Sequence, residues 1–226
     1  MSLRILLVAA TTLEIKNIKK IAGFNVTPYG FSSGNAEINV LITGVGAMST
    51  SWSMSEWLRS NRKPDLALNI GIAGSFRNDI KPGEVVMPVT DCFADSGIED
   101  GDNFLTLAEA GLAGANDFPF KSGLIESDNK YSDLVKNKLR PVKAVTVNTS
   151  TGSEVTRERL VKKYNPDIET MEGATFFYIC ARNFIPFLAL RSISNVVETR
   201  NRNNWNIPLA LENLAEKCNE FIMRLE

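Results

Sequence analysis

Two stretches of the chain run from an apolar segment straight into glycine: EINVLITGVG at 37–46 and PDLALNIGIAG at 64–74. An apolar, β-branched run without polar alternation is a strand covered on both faces, and helices are what cover both faces of a parallel sheet. RILLVAAT (4–11), GEVVMPVTDCF (83–93), VKAVTVNTS (142–150) and IPFLALRSIS (185–194) are further strands, with a short one around Ile168. Helical segments are predicted at about 12–21, at 47–60, near 155–164, over EGATFFYICARN and at roughly 207–225. Alternation of strand and helix restricts the chain to an α/β sandwich with a largely parallel sheet. Between about 94 and 135 the pattern weakens, and LAEAGLAGANDFPF reads as loop. No repeat, linker or low-complexity tract divides the 226 residues, so one domain spanning 1–226 is expected.

Composition narrows the chemistry. The chain has no histidine, which excludes Ser-His-Asp hydrolysis, Cys-His proteolysis and His-ligated metal. Acid–base work falls to Asp, Glu, Lys, Tyr, Cys or water. Cys92, Cys180 and Cys218 are odd in number and form no CxxC pair, so neither a zinc site nor a disulfide framework is expected. Reduced thiols of this kind suit the cytoplasm. Twenty-five basic residues against 26 acidic ones leave no electrostatic footprint for nucleic acid. No apolar run is long enough to span a bilayer, and MSLRILLVAATTLEIK lacks a cleavage site and reads as a first strand.

In open α/β sheets ligands bind outside the carboxyl ends of the strands. Those ends fall at 11–14, 43–48, 69–75, 149–152, 169–172 and 191–195, where most of the unusual polar residues stand. TGVGAMST resembles a phosphate loop but lacks the GxxxxGK[ST] pattern, and its glycines equally serve a tight turn. Glu14 is either a functional carboxylate or one favoured by a helix N-terminus. Glu169 and Glu172 flank Met171 before an apolar helix, and Glu172 also suits a capping role. LALRSISN is harder to explain as scaffold. A buried Arg191 needs a partner, an ion pair with Glu14 or Glu172 being the plainest, and a buried Asn195 needs hydrogen bonds.

Taken in order, TTLEI, TGVGAMST, NIGIAG, ETMEGATFF and RSISN resemble the purine nucleoside phosphorylase and nucleosidase superfamily, over about residues 5–215. RSISN followed by WNIPLALENL is most similar to its futalosine hydrolase branch, which serves the alternative menaquinone pathway. The resemblance implies a three-layer αβα sandwich with a mixed, largely parallel central sheet, usually a homodimer, that cleaves an N-ribosidic bond without cofactor or metal. It implies that Glu14 takes a proton from the attacking water, that Arg191 helps hold that water, and that Glu172 binds the ribose hydroxyls. Met171 would pack on the sugar, with Ile72, Ala73, Gly74, Thr151 and Gly152 completing the substrate-binding set. The adenine-cleaving relatives carry serine where this chain has Ile72.

Phosphorylases of the family place basic side chains near the first strand end and the first glycine loop, and AATTLEI and TGVGAMSTSWSMSE contain none there. Hydrolysis is therefore the favoured reaction. Adenine-cleaving relatives have Asp at the position of Asn195. Adenine presents an N7 acceptor beside an N6 donor, whereas hypoxanthine presents two acceptors, N7 and O6. An amide with two donors addresses both. The expected partner is thus a purine nucleoside, a 6-oxopurine one, with Phe104, Phe118, Phe120 and either Arg200 or Arg202 meeting a carboxylated aromatic 5′ group. Trp205 reads as a helix anchor. Alternatives are an adenine-cleaving methylthioadenosine or S-adenosylhomocysteine nucleosidase, a phosphorylase, and a nucleoside-binding protein without catalysis.

Overall fold

The computed structural model describes residues 2–18, 25–27, 30–33, 36–101, 103–136, 138–199 and 201–225. In chain order the strands are β1 Leu3–Ala9, β2 Asn25–Thr27, β3 Gly30–Ser33, β4 Ala36–Ile42, β5 Leu66–Ser75 and β6 Val85–Asp91. They continue with β7 Gly97–Asp100, β8 Asn103–Thr106, β9 Ile125–Glu126, β10 Arg140–Thr146, β11 Ile168–Thr170 and β12 Phe187–Val196. The helices are α1 Thr12–Ile15, α2 Ala47–Ser60, α3 Asp133–Lys136, α4 Glu154–Tyr164, α5 Gly173–Arg182 and α6 Ile207–Ile222.

Ten strands form one sheet in the order β11-β10-β6-β12-β5-β1-β4-β3-β2, with β9 added beside β6. β1 is parallel to β4 and β5, and β12 is parallel to β5, while β3 and β2 extend the edge as antiparallel strands. The sheet is mixed, as expected. β11 pairs with both β10 and β5, so β5, β12, β6, β10 and β11 close into a ring. That closure carries Glu169 on β11 to the side of β5 opposite β12.

β1 shows why the apolar runs do not alternate. Ile5, Leu7 and Ala9 pack with Leu214, Cys218 and Phe221 of α6, while Leu6 and Val8 pack with Met54 of α2 and Phe176 and Phe177 of α5. Both faces of the strand are covered, which makes three layers. α6 starts at Asn206, whose side chain accepts the Leu209 N–H, and buries Ala210, Leu214, Cys218 and Phe221 at helical spacing.

Three local expectations change. The helix predicted at 12–21 is α-helical only over Thr12–Ile15 among the described residues, and 19–21 lie outside them. The stretch 94–135 contains the hairpin of β7 and β8, with β9 and the start of α3. β7 is exposed along its whole length, so no apolar alternation marked it. β2 and β3 were not anticipated. Among the described residues no helix is long and apolar enough to cross a membrane.

Candidate active site

A cavity of about 280 Å³ opens where β1, β4, β5, β11 and β12 end. Glu14, Ile72, Ala73, Gly74, Thr151, Met171, Glu172 and Asn195 all line it. Sequence order scattered these residues over 180 positions; the sheet gathers them on one rim. Gly152 and Arg191, also expected in the site, do not reach the lining.

Glu14 sits at the start of α1 and is 8% exposed. Its Oε2 accepts the Thr11 N–H at 2.8 Å and its Oε1 accepts the Ile72 N–H at 3.3 Å. The carboxylate thus bridges the first strand end and the second glycine loop. Gly71 makes room for this: a Cβ there would lie 2.8 Å from Glu14 Oε1 and 3.6 Å from Arg191 Nη1.

Arg191 is the largest fully buried side chain among the described residues, and it makes no ion-pair contact with Glu14 or Glu172, the scaffold alternative to a role at the nucleophile. Its Nη1 donates to the Asn69 and Leu190 carbonyls, each at 3.2 Å, and its Nη2 donates to Asn69 Oδ1. Asn69 is satisfied in turn, since its Nδ2 donates to the Val8 carbonyl at 3.0 Å. Burial lowers the proton affinity of the guanidinium, and the fields of Glu172, Glu14 and Asp91 oppose that. Asn69 escaped the sequence reading, although a lone amide inside LALNIGIAG was the available signal.

Glu172 precedes α5 and its Oε1 accepts the Gly46 N–H at 2.8 Å. The first glycine loop therefore grips a carboxylate of its own chain. Gly44 and Gly46 have φ of 83° and 91°, a region that disfavours side chains, so the glycines are required by the turn. Burial raises the proton affinity of Glu172, opposed by the Gly46 hydrogen bond and by Arg191.

Asn195 follows a register shift in the pairing of β12 with β5, between Ile193 and Asn195. Such bulges re-aim a side chain. The Ser194 hydroxyl donates to Asn195 Oδ1 at 2.7 Å, and Asn195 Nδ2 donates to the Val196 carbonyl at 2.9 Å. The carbonyl end of the amide is thereby anchored, leaving its second N–H for the cavity.

The expected 5′ pocket is not found where it was placed. Phe104 lies under Arg159 and Lys163, Phe118 stacks on Phe184, and Phe120 packs on Tyr178. None of the three lines the cavity, nor does Arg202, and Arg200 lies outside the described residues. Trp205 lines this cavity and a neighbouring one of about 320 Å³ walled by Asn148, Glu198 and Asn201, so it is not the simple helix anchor predicted.

Comparison with known proteins agrees with this geometry. The phosphorylase superfamily model matches residues 1–225. The chain belongs to the phosphorylase superfamily. This superfamily member is 29% identical to futalosine hydrolase of Streptomyces coelicolor over 194 residues, covering 83% of this chain and 80% of that one. It is 24% identical to the 5′-methylthioadenosine/S-adenosylhomocysteine nucleosidase of Buchnera aphidicola from Schizaphis graminum, covering 92% and 91% of the two chains. Among solved structures it is similar to native futalosine hydrolase of Helicobacter pylori, with a TM-score of 0.81, 20% identity and 99% of both chains covered. A Helicobacter pylori nucleosidase variant holding 5′-methylthioadenosine gives 0.82 at 20% identity, covering 99% of this chain and 100% of that one.

Proposed function

We propose that this superfamily member hydrolyses the N-ribosidic bond of futalosine and releases hypoxanthine. One observation carries the choice of hydrolysis over phosphorolysis. Among the described residues, the charged ones lining the cavity are Glu14, Glu169 and Glu172, with no Lys or Arg. A phosphate dianion would meet like charge at close range, whereas water needs a base and an oxocarbenium-like sugar needs anions.

In this reading Glu14 accepts a proton from water as its oxygen attacks C1′. The C1′–N9 bond breaks with its electron pair passing into the purine. Glu172 holds the ribose hydroxyls and Met171 packs on the sugar. The Asn195 N–H not held by Val196 donates at the N7/O6 edge, where the negative charge accumulates, until solvent protonates the base. Arg191 acts from behind Glu14 as a positioning residue, with three of its N–H donors given to Asn69 and Leu190. The similarity to futalosine hydrolases and the amide at 195 support the 6-oxopurine over adenine. The reading places the enzyme in menaquinone synthesis and in the cytoplasm, consistent with three free, buried cysteines. Exposed Leu13, Val45, Met48 and Trp52 near the cavity mouth support a homodimer.

The test is purine release from futalosine, inosine and methylthioadenosine, each with and without phosphate, followed by chromatography. Phosphate-independent hypoxanthine from futalosine is the expected outcome. Strict dependence on phosphate, or adenine from methylthioadenosine alone, would overturn the reading.

A further inference from the structure

The cavity contains a carboxylate that this mechanism leaves idle. Glu169, 6% exposed, lines it from β11. At this level β5 is flanked on both sides: Gly74 is in register with Glu169 on β11 and with Asn195 on β12. Residues in register on adjacent strands project to the same face of a sheet, so the carboxylate and the amide rise from either side of Gly74. Gly74 keeps the floor between them low, because a Cβ there would lie 2.8 Å from Val197 and 3.4 Å from Asn195 Nδ2. Two strand spacings separate the flanking backbones by about 10 Å.

Resting on the base site argued above, we propose that Glu169 is a specificity residue that accepts the N1–H of a 6-oxopurine while the remaining N–H of Asn195 donates at the N7/O6 edge. Hypoxanthine carries a proton on N1; adenine presents a lone pair there, which a carboxylate repels. Glu169 therefore reads the ring atom at which the two bases differ. Its orientation is fixed from the other side. Oε1 accepts the Thr151 N–H at 2.9 Å, Oε2 accepts the Thr151 hydroxyl, and the Ser150 hydroxyl stands 3.4 Å from Oε1. A carboxylate has about four acceptor positions, so capacity remains toward the cavity. Burial raises the proton affinity of Glu169, and the Thr151 and Ser150 donors oppose that.

The test is calorimetric binding of hypoxanthine, adenine and 1-methylhypoxanthine to the full chain and to Glu169→Gln. The wild type is expected to prefer hypoxanthine over both other bases. In Glu169→Gln one oxygen still serves the Thr151 N–H, and the amide nitrogen replaces Oε2 beside the Thr151 hydroxyl, so the acceptor for N1–H is lost. The hypoxanthine-to-adenine affinity ratio should then fall at least about tenfold, as loss of one charge-assisted bond implies. If Glu169 merely braces the Thr151 loop, both bases weaken together and the ratio stays put, which overturns the proposal. Equal wild-type affinity for hypoxanthine and 1-methylhypoxanthine overturns it too, without any variant. Binding of no purine at all removes the base site and the function proposed above with it. Hydrolysis of futalosine with an unmoved ratio removes only the role of Glu169.

Discussion

Glu14 and Asp91 are both buried carboxyls, yet their surroundings assign them different work. Glu14 faces the cavity and is tied to backbone N–H groups at Thr11 and Ile72. Glu14→Gln keeps an oxygen for one of those two contacts and removes the base. Turnover of the cleaved nucleoside should fall about 10²–10⁴-fold with KM little changed; a variant retaining wild-type kcat would exclude Glu14 as the base. Asp91 is fully buried, and only its Oδ1 is engaged, by the Cys92 N–H and the Thr146 hydroxyl. Burial pushes its pKa up to about 7, against Thr146, Arg191 and Cys92, which favour the anion, and with Glu172, which disfavours it. The native state therefore binds the proton more tightly than the unfolded chain, and stability from this group is lost as pH rises from about 4 to about 7. Glu169 and Glu172 shift in the same direction and add to that slope. Asp91→Asn should flatten the decline of melting temperature across this window. A variant whose profile parallels the wild type would show that Asp91 keeps its charge.

At the scale of elements, α5 decides where Glu172 stands. Its start is fixed by side chains beneath it: the Gly173 N–H donates to Thr170 Oγ1 and the Ala174 N–H to Thr146 Oγ1. Phe176 and Phe177 lock the helix into the core. A Cβ on Gly173 would come 2.1 Å from Asp91 Oδ2 and 2.9 Å from Thr170 Oγ1. In an open helix Gly→Ala stabilises by about 1 kcal/mol. Here the overlap dominates, and Gly173→Ala should instead cost about 1–3 kcal/mol, measured by urea denaturation. A gain in stability would mean that α5 can slide off Asp91. The same element scale shows what was legible in the chain. The helix at 47–60 follows from its pattern, as do the long strands, because burial on both faces leaves unbroken apolar runs. The β7–β8 hairpin did not, because an exposed strand imposes no such pattern.

For the whole molecule, the open question is what covers the apolar rim of the cavity. Met48 and Trp52, 85% and 70% exposed, share one face of α2 at i and i+4, and Leu13 and Val45 are exposed at the cavity wall. Sedimentation at micromolar concentration should show a particle of twice the 24.9 kDa chain mass, and Trp52→Glu should shift it to the monomer. A monomeric wild type would dispose of the dimer.

The sequence by itself determined the α/β class, the absence of histidine chemistry and the strand ends that carry the site, since these depend on residue type and local period. It also singled out Glu14, Glu172 and Asn195, because polar groups closing apolar runs need a reason to be there. Only the tertiary structure decided their partners. Arg191 answers to Asn69, 122 positions away, rather than to a carboxylate, and Glu172 answers to Gly46, 126 positions away. Glu169 reaches the cavity through the closure of β11 onto β5. The aromatic residues first assigned to the 5′ group lie elsewhere for the same reason. Hydrogen bonds and cavity walls join residues distant along the chain, and local pattern holds no record of which strand lies beside which.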